Sequence, residues 1–266
     1  MEGHLSRHRD PPNDLRRALD EGRLFCSSWL FLGSPATTEI LSLAGFDCLI
    51  LDREHSPGDL DTLYHQLRAS KVPVIVRLAE ADAAMAKLAL DAGAAGLAVS
   101  NLETPQDAAA LVQATRYTPE GTRGIQRLSR AADYGLGWEG YRRGIGAAPL
   151  TMGLIESRRG VANLDAILKI DGLDVVFIGA VDLASDMGHM DNTAHADVRA
   201  VITDIEDKVI ASGKTLGGLA RDRQDATAKR QKGYGFLTFG SDALYLRDGA
   251  VSSAALAQDI ARETAR

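Results

Sequence analysis

Cys48-Leu49-Ile50-Leu51-Asp52-Arg53-Glu54-His55 joins an unbroken apolar run to a charged tetrapeptide. A run without polar alternation suits a strand buried on both faces, the usual state of a parallel strand covered by helices. In open and closed α/β sheets alike, ligands bind beyond the carboxyl ends of such strands. The tetrapeptide therefore marks where an active site would stand, and the fold depends on how often the pattern recurs.

It recurs throughout the chain. Short apolar runs at Leu24–Leu32, Cys48–Leu51, Val72–Leu78, Gly96–Ser100, Leu150–Ile155, Asp174–Ile178, Thr215–Leu219 and Phe236–Phe239 read as eight strands. Helical spacing fills the intervals at Thr37–Ala44, Asp59–Ala69, Ala83–Ala92, Pro105–Thr115, Val161–Lys169, Ala196–Ser212 and Asp225–Lys232. Gly45, Gly93, Gly213 and Gly233 stand where residues with positive φ can close these helices. Eight strands alternating with helices predict an α/β fold, a single-domain (β/α)8 TIM barrel, ahead of a doubly wound open sheet. Residues 1–22 read as a polar N-terminal arm and 23–266 as the barrel, with Pro12 and Asp14 opening a short helix that ends at Glu21-Gly22.

Composition narrows the function. The net charge of −6 and the scattered Lys and Arg exclude nucleic acid as a main partner. The first twenty residues lack the apolar core of a signal peptide, and no stretch has the apolar length of a membrane span, so a cytoplasmic protein is expected. Cys26 and Cys48 fall within predicted strands and read as small core residues. Residues Asn101–Pro149 form an unusually long, Gly-rich connection, the kind that is functional or mobile in a compact domain. It contains Gly135-Leu136-Gly137-Trp138-Glu139-Gly140, a literal dinucleotide fingerprint, but no apolar strand precedes it and the match reads as accidental.

Several chemically capable side chains converge on one predicted rim. Asp52, Glu54 and His55 follow the second strand, Arg77 closes the third, Glu156 the fifth, and Asp182 follows the sixth. Alone, either of the last two carboxylates would be read as a helix cap. Strands five and six are neighbours, however, at about 4.8 Å spacing, so the pair could chelate one cation. Two oxygen ligands suit Mg2+ or Mn2+, with Co2+ a further candidate, better than zinc. His4, His8, His65, His189 and His195 lie in the arm, a helix or a polar loop and are read as structural. Arg77 is read either as an ion pair with Asp52 or Glu54, or as a guanidinium that holds a carboxylate or enolate oxygen. His55 is the natural proton carrier, oriented by Asp52 across the turn begun by Ser56-Pro57-Gly58. No nucleophile elbow or phosphate loop competes, and no lysine stands at a strand end for Schiff-base chemistry.

These residues resemble the HpcH/HpaI class II aldolases, the family of hydroxy-oxo-heptanedioate and dehydro-deoxy-glucarate aldolases. The resemblance spans roughly residues 24–250, through Trp29, Ala44-Gly45-Phe46-Asp47, Asp52-x-Glu54-His55, Arg77, Asp91-x-Gly93 and Arg116-Tyr117-x-Pro119-x-Gly121-x-Arg123-Gly124. It continues through Ile155-Glu156-Ser157, Phe177-Ile178-Gly179-x-x-Asp182-Leu183 and Gly240-Ser241-Asp242. It implies a divalent metal on Glu156 and Asp182, with pyruvate as ligand and a small aldehyde as the second substrate. It further implies that Arg77 steadies the keto or enolate oxygen, that backbone amides around Gly179, Ala180 and Val181 take the carboxylate, and that Asp52 and His55 move a proton. Trp29 would line the pocket, Glu54 would back a metal-bound water or Arg77, and Asp91 would reach a neighbouring subunit in a homo-oligomer, a hexamer built as a trimer of dimers.

The activity so implied is reversible cleavage of 4-hydroxy-2-oxo acids to pyruvate and an aldehyde. Two alternatives are an acyl-CoA lyase like the citrate lyase β chain, for which no basic groove is evident, and a barrel that binds 2-oxo acids without turnover. The chain departs from the family at Arg53, Leu154, Ala180 and Ala184 and in the stretch Ile125–Arg130. Arg53 is expected to pair with Glu54 or Glu80 rather than to recruit an anionic aldehyde.

Overall fold

The protein, described here as a computed structural model, is defined at residues 15, 16, 19, 21–144 and 149–264. Strands β1 (Phe25–Leu30), β2 (Cys48–Asp52), β3 (Val74–Leu78), β4 (Gly96–Val99), β5 (Leu150–Ile155), β6 (Val175–Ile178), β7 (Thr215–Leu219) and β8 (Tyr234–Ser241) close in sequence order into a barrel. All neighbouring pairs, β8 with β1 included, are parallel. The helices of the described residues are α1 (Pro35–Leu43), α2 (Leu60–Ala69), α3 (Ala83–Asp91), α4 (Pro105–Thr115), α5 (Trp138–Arg143) and α6 (Arg158–Ala162). They continue with α7 (Leu164–Ile167), α8 (Ala180–Asp186), α9 (Ala196–Ser212), α10 (Arg223–Lys232) and α11 (Asp242–Thr264). The expected (β/α)8 barrel is therefore the observed fold.

Strand sequences are largely apolar because each strand has two buried faces, with buried polar residues such as Ser27, Ser28, Asp52, Arg77, Thr151 and Thr238 among them. Within β2, Cys48 and Ile50 join the cluster inside the barrel with Phe25, Ile75, Met152, Phe177 and Phe236. Leu49 and Leu51 instead pack outward with Leu63, Leu67 and Val76 beneath the helices. This parity continues past the strand, so Asp52 points to the axis and Arg53 away from it. Cys26 and Cys48 are free thiols whose pKa values are raised, chiefly by burial, which makes them poor nucleophiles.

The elements differ from expectation in a few places, each with a local cause. β3 starts at Val74 rather than Val72, after Pro73, which has no N–H to donate to the ladder. The helix expected over Val161–Lys169 is instead α6 and α7, broken at Asn163, whose side chain donates to the carbonyl of Glu103. Most of the N-terminal arm, including Pro12 and Asp14, lies outside the described residues. Leu15 is buried with the interior cluster and Arg16 pairs with Asp174 at 2.5 Å, so the end of the arm covers the N-terminal mouth of the barrel.

The long β4–β5 connection is tied down by buried arginine. Arg123 Nη2 donates to Asp91 Oδ1 at 2.7 Å and to the Tyr141 hydroxyl at 2.8 Å, with the guanidinium over the Tyr117 ring. Arg130 Nη1 donates to the Ala92 carbonyl at 2.6 Å. A 3-10 stretch, Arg130–Gly135, precedes the fingerprint-like glycines where a nucleotide site would need a strand.

Candidate active site

Parallel register sets the first pair. Asp52 and Arg77 are partners at the ends of β2 and β3, and parity turns both inward. Arg77 Nε donates to Asp52 Oδ1 at 2.7 Å, and its Nη1 lies 3.3 Å from Glu54 Oε2. The guanidinium carbon sits 4.5 Å from the centre of the Trp29 ring, which itself packs against Phe31 and Phe177. Two carboxylates and an aromatic face thus fix the cation's plane, while Nη2 makes no hydrogen bond to the described residues. Of the two sequence readings of Arg77, the ion pair with Asp52 and Glu54 is the one the geometry shows.

Glu156, the residue after β5, is 5% exposed, and Asn101 donates its backbone N–H to Oε1 at 2.6 Å. Asn101 does so from a left-handed conformation (φ 48) just past β4, a region that Asn tolerates better than most residues. Beside it, the Ser100 hydroxyl donates to Glu54 Oε2. Gly179 is required on the other flank. A Cβ there would lie 2.4 Å from Glu156 Oε2, so only glycine lets the carboxylate approach the start of α8. Burial, then the charges of Asp182 and Glu54, push the Glu156 carboxyl up to about 7 against the opposing pull of the Asn101 N–H and Arg77. Asp182 lies in the first turn of α8, whose N-cap Gly179 provides no side-chain acceptor for the Ala180 and Val181 amides.

The structure thus gathers Asp52, Glu54, Arg77, Trp29, Glu156, Gly179 and Asp182 at one rim. His55 is there too, but not as expected. Asp52 Oδ2 accepts the backbone N–H of His55 and Oδ1 that of Glu54, which fixes the turn, while the imidazole Nε2 lies 3.5 Å from Glu54 Oε2. The Asp52–His55 side-chain pair expected from sequence is corrected accordingly: both Asp52 oxygens are engaged by the main chain and Arg77. Arg53 likewise pairs with neither Glu54 nor Glu80. It points outward and donates to the Gly58 carbonyl at 2.8 Å, away from the site. Asp91 ends α3, at the N-terminal side of β4, and belongs to the other end of this barrel. Sequence reasoning gave no signal for Ser100 and Asn101, whose contributions depend on the turn after β4. His189 and His195, placed in one polar loop and read as structural from the sequence, are stacked 3.6 Å apart between α8 and α9.

Residues 26–248 match the HpcH/HpaI aldolase/citrate lyase family profile. The 5-keto-4-deoxy-D-glucarate aldolase of Salmonella arizonae is 38% identical over 241 residues, which span 90% of this chain and 94% of that protein. Among solved structures, an HpcH/HpaI aldolase/citrate lyase family protein from Burkholderia cenocepacia superposes with a TM-score of 0.86 at 31% identity, covering 92% of this chain and 99% of that one. The citrate synthase SbnG superposes with a TM-score of 0.82 at 25% identity over 93% and 98% of the two chains. A carbon–carbon lyase by this kinship, the chain belongs to the HpcH/HpaI aldolase/citrate lyase family.

Proposed function

We propose that the protein is a metal-dependent class II aldolase that reversibly cleaves 4-hydroxy-2-oxo acids to pyruvate and an aldehyde. The observation that carries this reading is Glu156, a buried carboxylate raised toward neutrality beside Asp182 and Glu54. The carboxylates of a buried Glu156 and an exposed Asp182 suit a hard divalent cation that keeps water ligands, so the pair would hold Mg2+ or Mn2+, with Co2+ a further candidate. Such a cation supplies Lewis acidity toward the keto group of a bound 2-oxo acid.

The chain's own groups supply the rest. Nη2 of Arg77 faces the developing enolate oxygen, and the Trp29 ring keeps the guanidinium plane from turning away. The Ala180 and Val181 amides receive the substrate carboxylate, while the Gly179 N–H stays in the barrel ladder on the Ile155 carbonyl. His55, with its side chain 68% exposed, carries the proton between the C3 carbon of pyruvate and water, steadied by Glu54 rather than Asp52. The names of its relatives make 5-keto-4-deoxy-D-glucarate the first substrate to try. Asp91, which pairs with Arg123 within the chain, would reach an active site only across a subunit boundary. The exposed Leu246, Val251 and Leu256 along α11 favour a homo-oligomer, read as a hexamer. No described helix is long and apolar enough to cross a membrane, and free thiols at the half-buried Cys26 and the buried Cys48 accord with a reducing cytoplasm.

The test is pyruvate release from 5-keto-4-deoxy-D-glucarate and other 4-hydroxy-2-oxo acids with Mg2+ or Mn2+. Release that EDTA abolishes and either ion restores supports the reading. Pyruvate binding without cleavage or condensation across a broad aldehyde panel would make the barrel a 2-oxo-acid-binding protein, and turnover only of acyl-CoA substrates would make it a citrate lyase β-like enzyme.

A further inference from the structure

A second cluster of metal-binding side chains stands apart from the rim carboxylates. His189, His195 and Asp197 each place one ligand atom within 4.8 Å of the others. His189 Nε2 and His195 Nδ1 both lie 3.8 Å from Asp197 Oδ2. The loop that brings them together is built by turns: the His189 N–H donates to the Ala184 carbonyl, that of Asn192 to His189, and that of His195 to Asn192. Gly188 (φ 84) and Asp191 (φ 58) take the left-handed conformations this path needs. The imidazoles are side by side at 3.6 Å with a 16° angle between planes, and they are only partly exposed. His195 Nδ1 is otherwise engaged only by the Asp197 N–H at 3.3 Å.

We propose that His189, His195 and Asp197 form a peripheral site for a borderline transition-metal cation such as Zn2+ or Co2+, distinct from the site at Glu156 and Asp182. Two imidazoles and one carboxylate are a nitrogen-rich donor set that suits these ions, whereas Mg2+ favours oxygen ligands. One ion cannot lie in two parallel ring planes 3.6 Å apart at once, so binding turns the rings out of the stack, and water completes the coordination. His189 lies seven residues beyond Asp182, past the end of α8 at Asp186, and neither rim carboxylate is among the ligand atoms gathered with it. Occupancy would tie the end of α8, the helix that carries Asp182, to the start of α9.

Zn2+ binding to the full chain carrying Glu156→Gln isolates this site from the rim, with equilibrium dialysis and Co2+ absorption as readouts. His189→Ala added to that background should lower the bound Zn2+ by one equivalent, or weaken its affinity by at least about tenfold. His195→Asn should do the same while keeping an N-cap for α9, so metal-free melting temperatures that stay level would show that folding is intact. His4 and His8 contribute equally to all three proteins and cancel from the comparison. Tetrahedral Co2+ bands that vanish with His189→Ala support the proposal. An identical Zn2+ count in all three proteins, or a site that Mg2+ fills as readily as Zn2+, overturns it.

Discussion

Replacing Glu156 by Gln should stabilise the metal-free protein while removing its function. The ionised carboxylate is disfavoured in the folded chain by burial and by the charges of Asp182 and Glu54. A carboxyl whose pKa is raised on folding costs nothing below its ordinary value, where it is neutral in both states. As pH rises from 4.5 to about 7 the folded chain keeps the proton that the unfolded chain loses, so stability falls across that window and stays low above it. At ~1.4 kcal/mol per pH unit, the interval from the ordinary value to the raised one amounts to ~3 kcal/mol. Glutamine retains an oxygen to accept the Asn101 N–H but does not titrate, so the penalty disappears. Urea titrations in EDTA at pH 5 and pH 8 measure it: the variant should gain ~3 kcal/mol over the wild type at pH 8 and little at pH 5. Adding Mn2+ should then stabilise only the wild type, by ~2.7 kcal/mol at a hundredfold excess over Kd. Parallel stability curves for the two proteins from pH 5 to pH 8 would refute the reasoning.

Gly179→Ala places a Cβ 2.4 Å from Glu156 Oε2, so the carboxylate must move; calorimetry should show divalent-ion affinity down by about tenfold or more, with the fold retained by circular dichroism. Arg77→Met leaves the buried Asp52 and the half-buried Glu54 without their cation, a loss of ~3–5 kcal/mol in denaturant titration. Arg77→Lys should recover much of that stability but little turnover, because a point charge cannot meet both carboxylates and still present Nη2. His55→Ala should bind metal normally and exchange the pyruvate methyl protons about 10²–10⁴-fold more slowly; unchanged exchange removes His55 from the mechanism.

What was legible in the sequence followed from burial and strand parity. Uniformly apolar runs are readable because each barrel strand meets side chains on both faces, and the titratable residues that end those runs fall on the rim by topology alone. Asp52, Arg77 and Glu156 were therefore visible before any coordinates. Among side-chain partnerships, the pairing of Arg77 with Asp52 and Glu54 was readable, and that of His55 was not. Asp52 and His55 are close in sequence, yet the turn spends both Asp52 oxygens on main-chain N–H groups and Arg77. Asn101 matters through its backbone, and no residue type announces that. Helix α8 is too short for periodicity to reveal, and the stack of His189 on His195 depends on the turns beyond it. The outward aim of Arg53, by contrast, follows from the same parity that turns Asp52 inward.

The central claim is that this rim generates an enolate from a 2-oxo acid with the help of a cation held by Glu156 and Asp182. Hydrogen–deuterium exchange at the methyl group of pyruvate, followed by proton NMR in D2O with no aldehyde present, tests it most directly. The account predicts exchange that requires added Mg2+ or Mn2+, stops with EDTA and is absent from Glu156→Gln. Exchange indifferent to EDTA, or no exchange with any divalent ion, would contradict it.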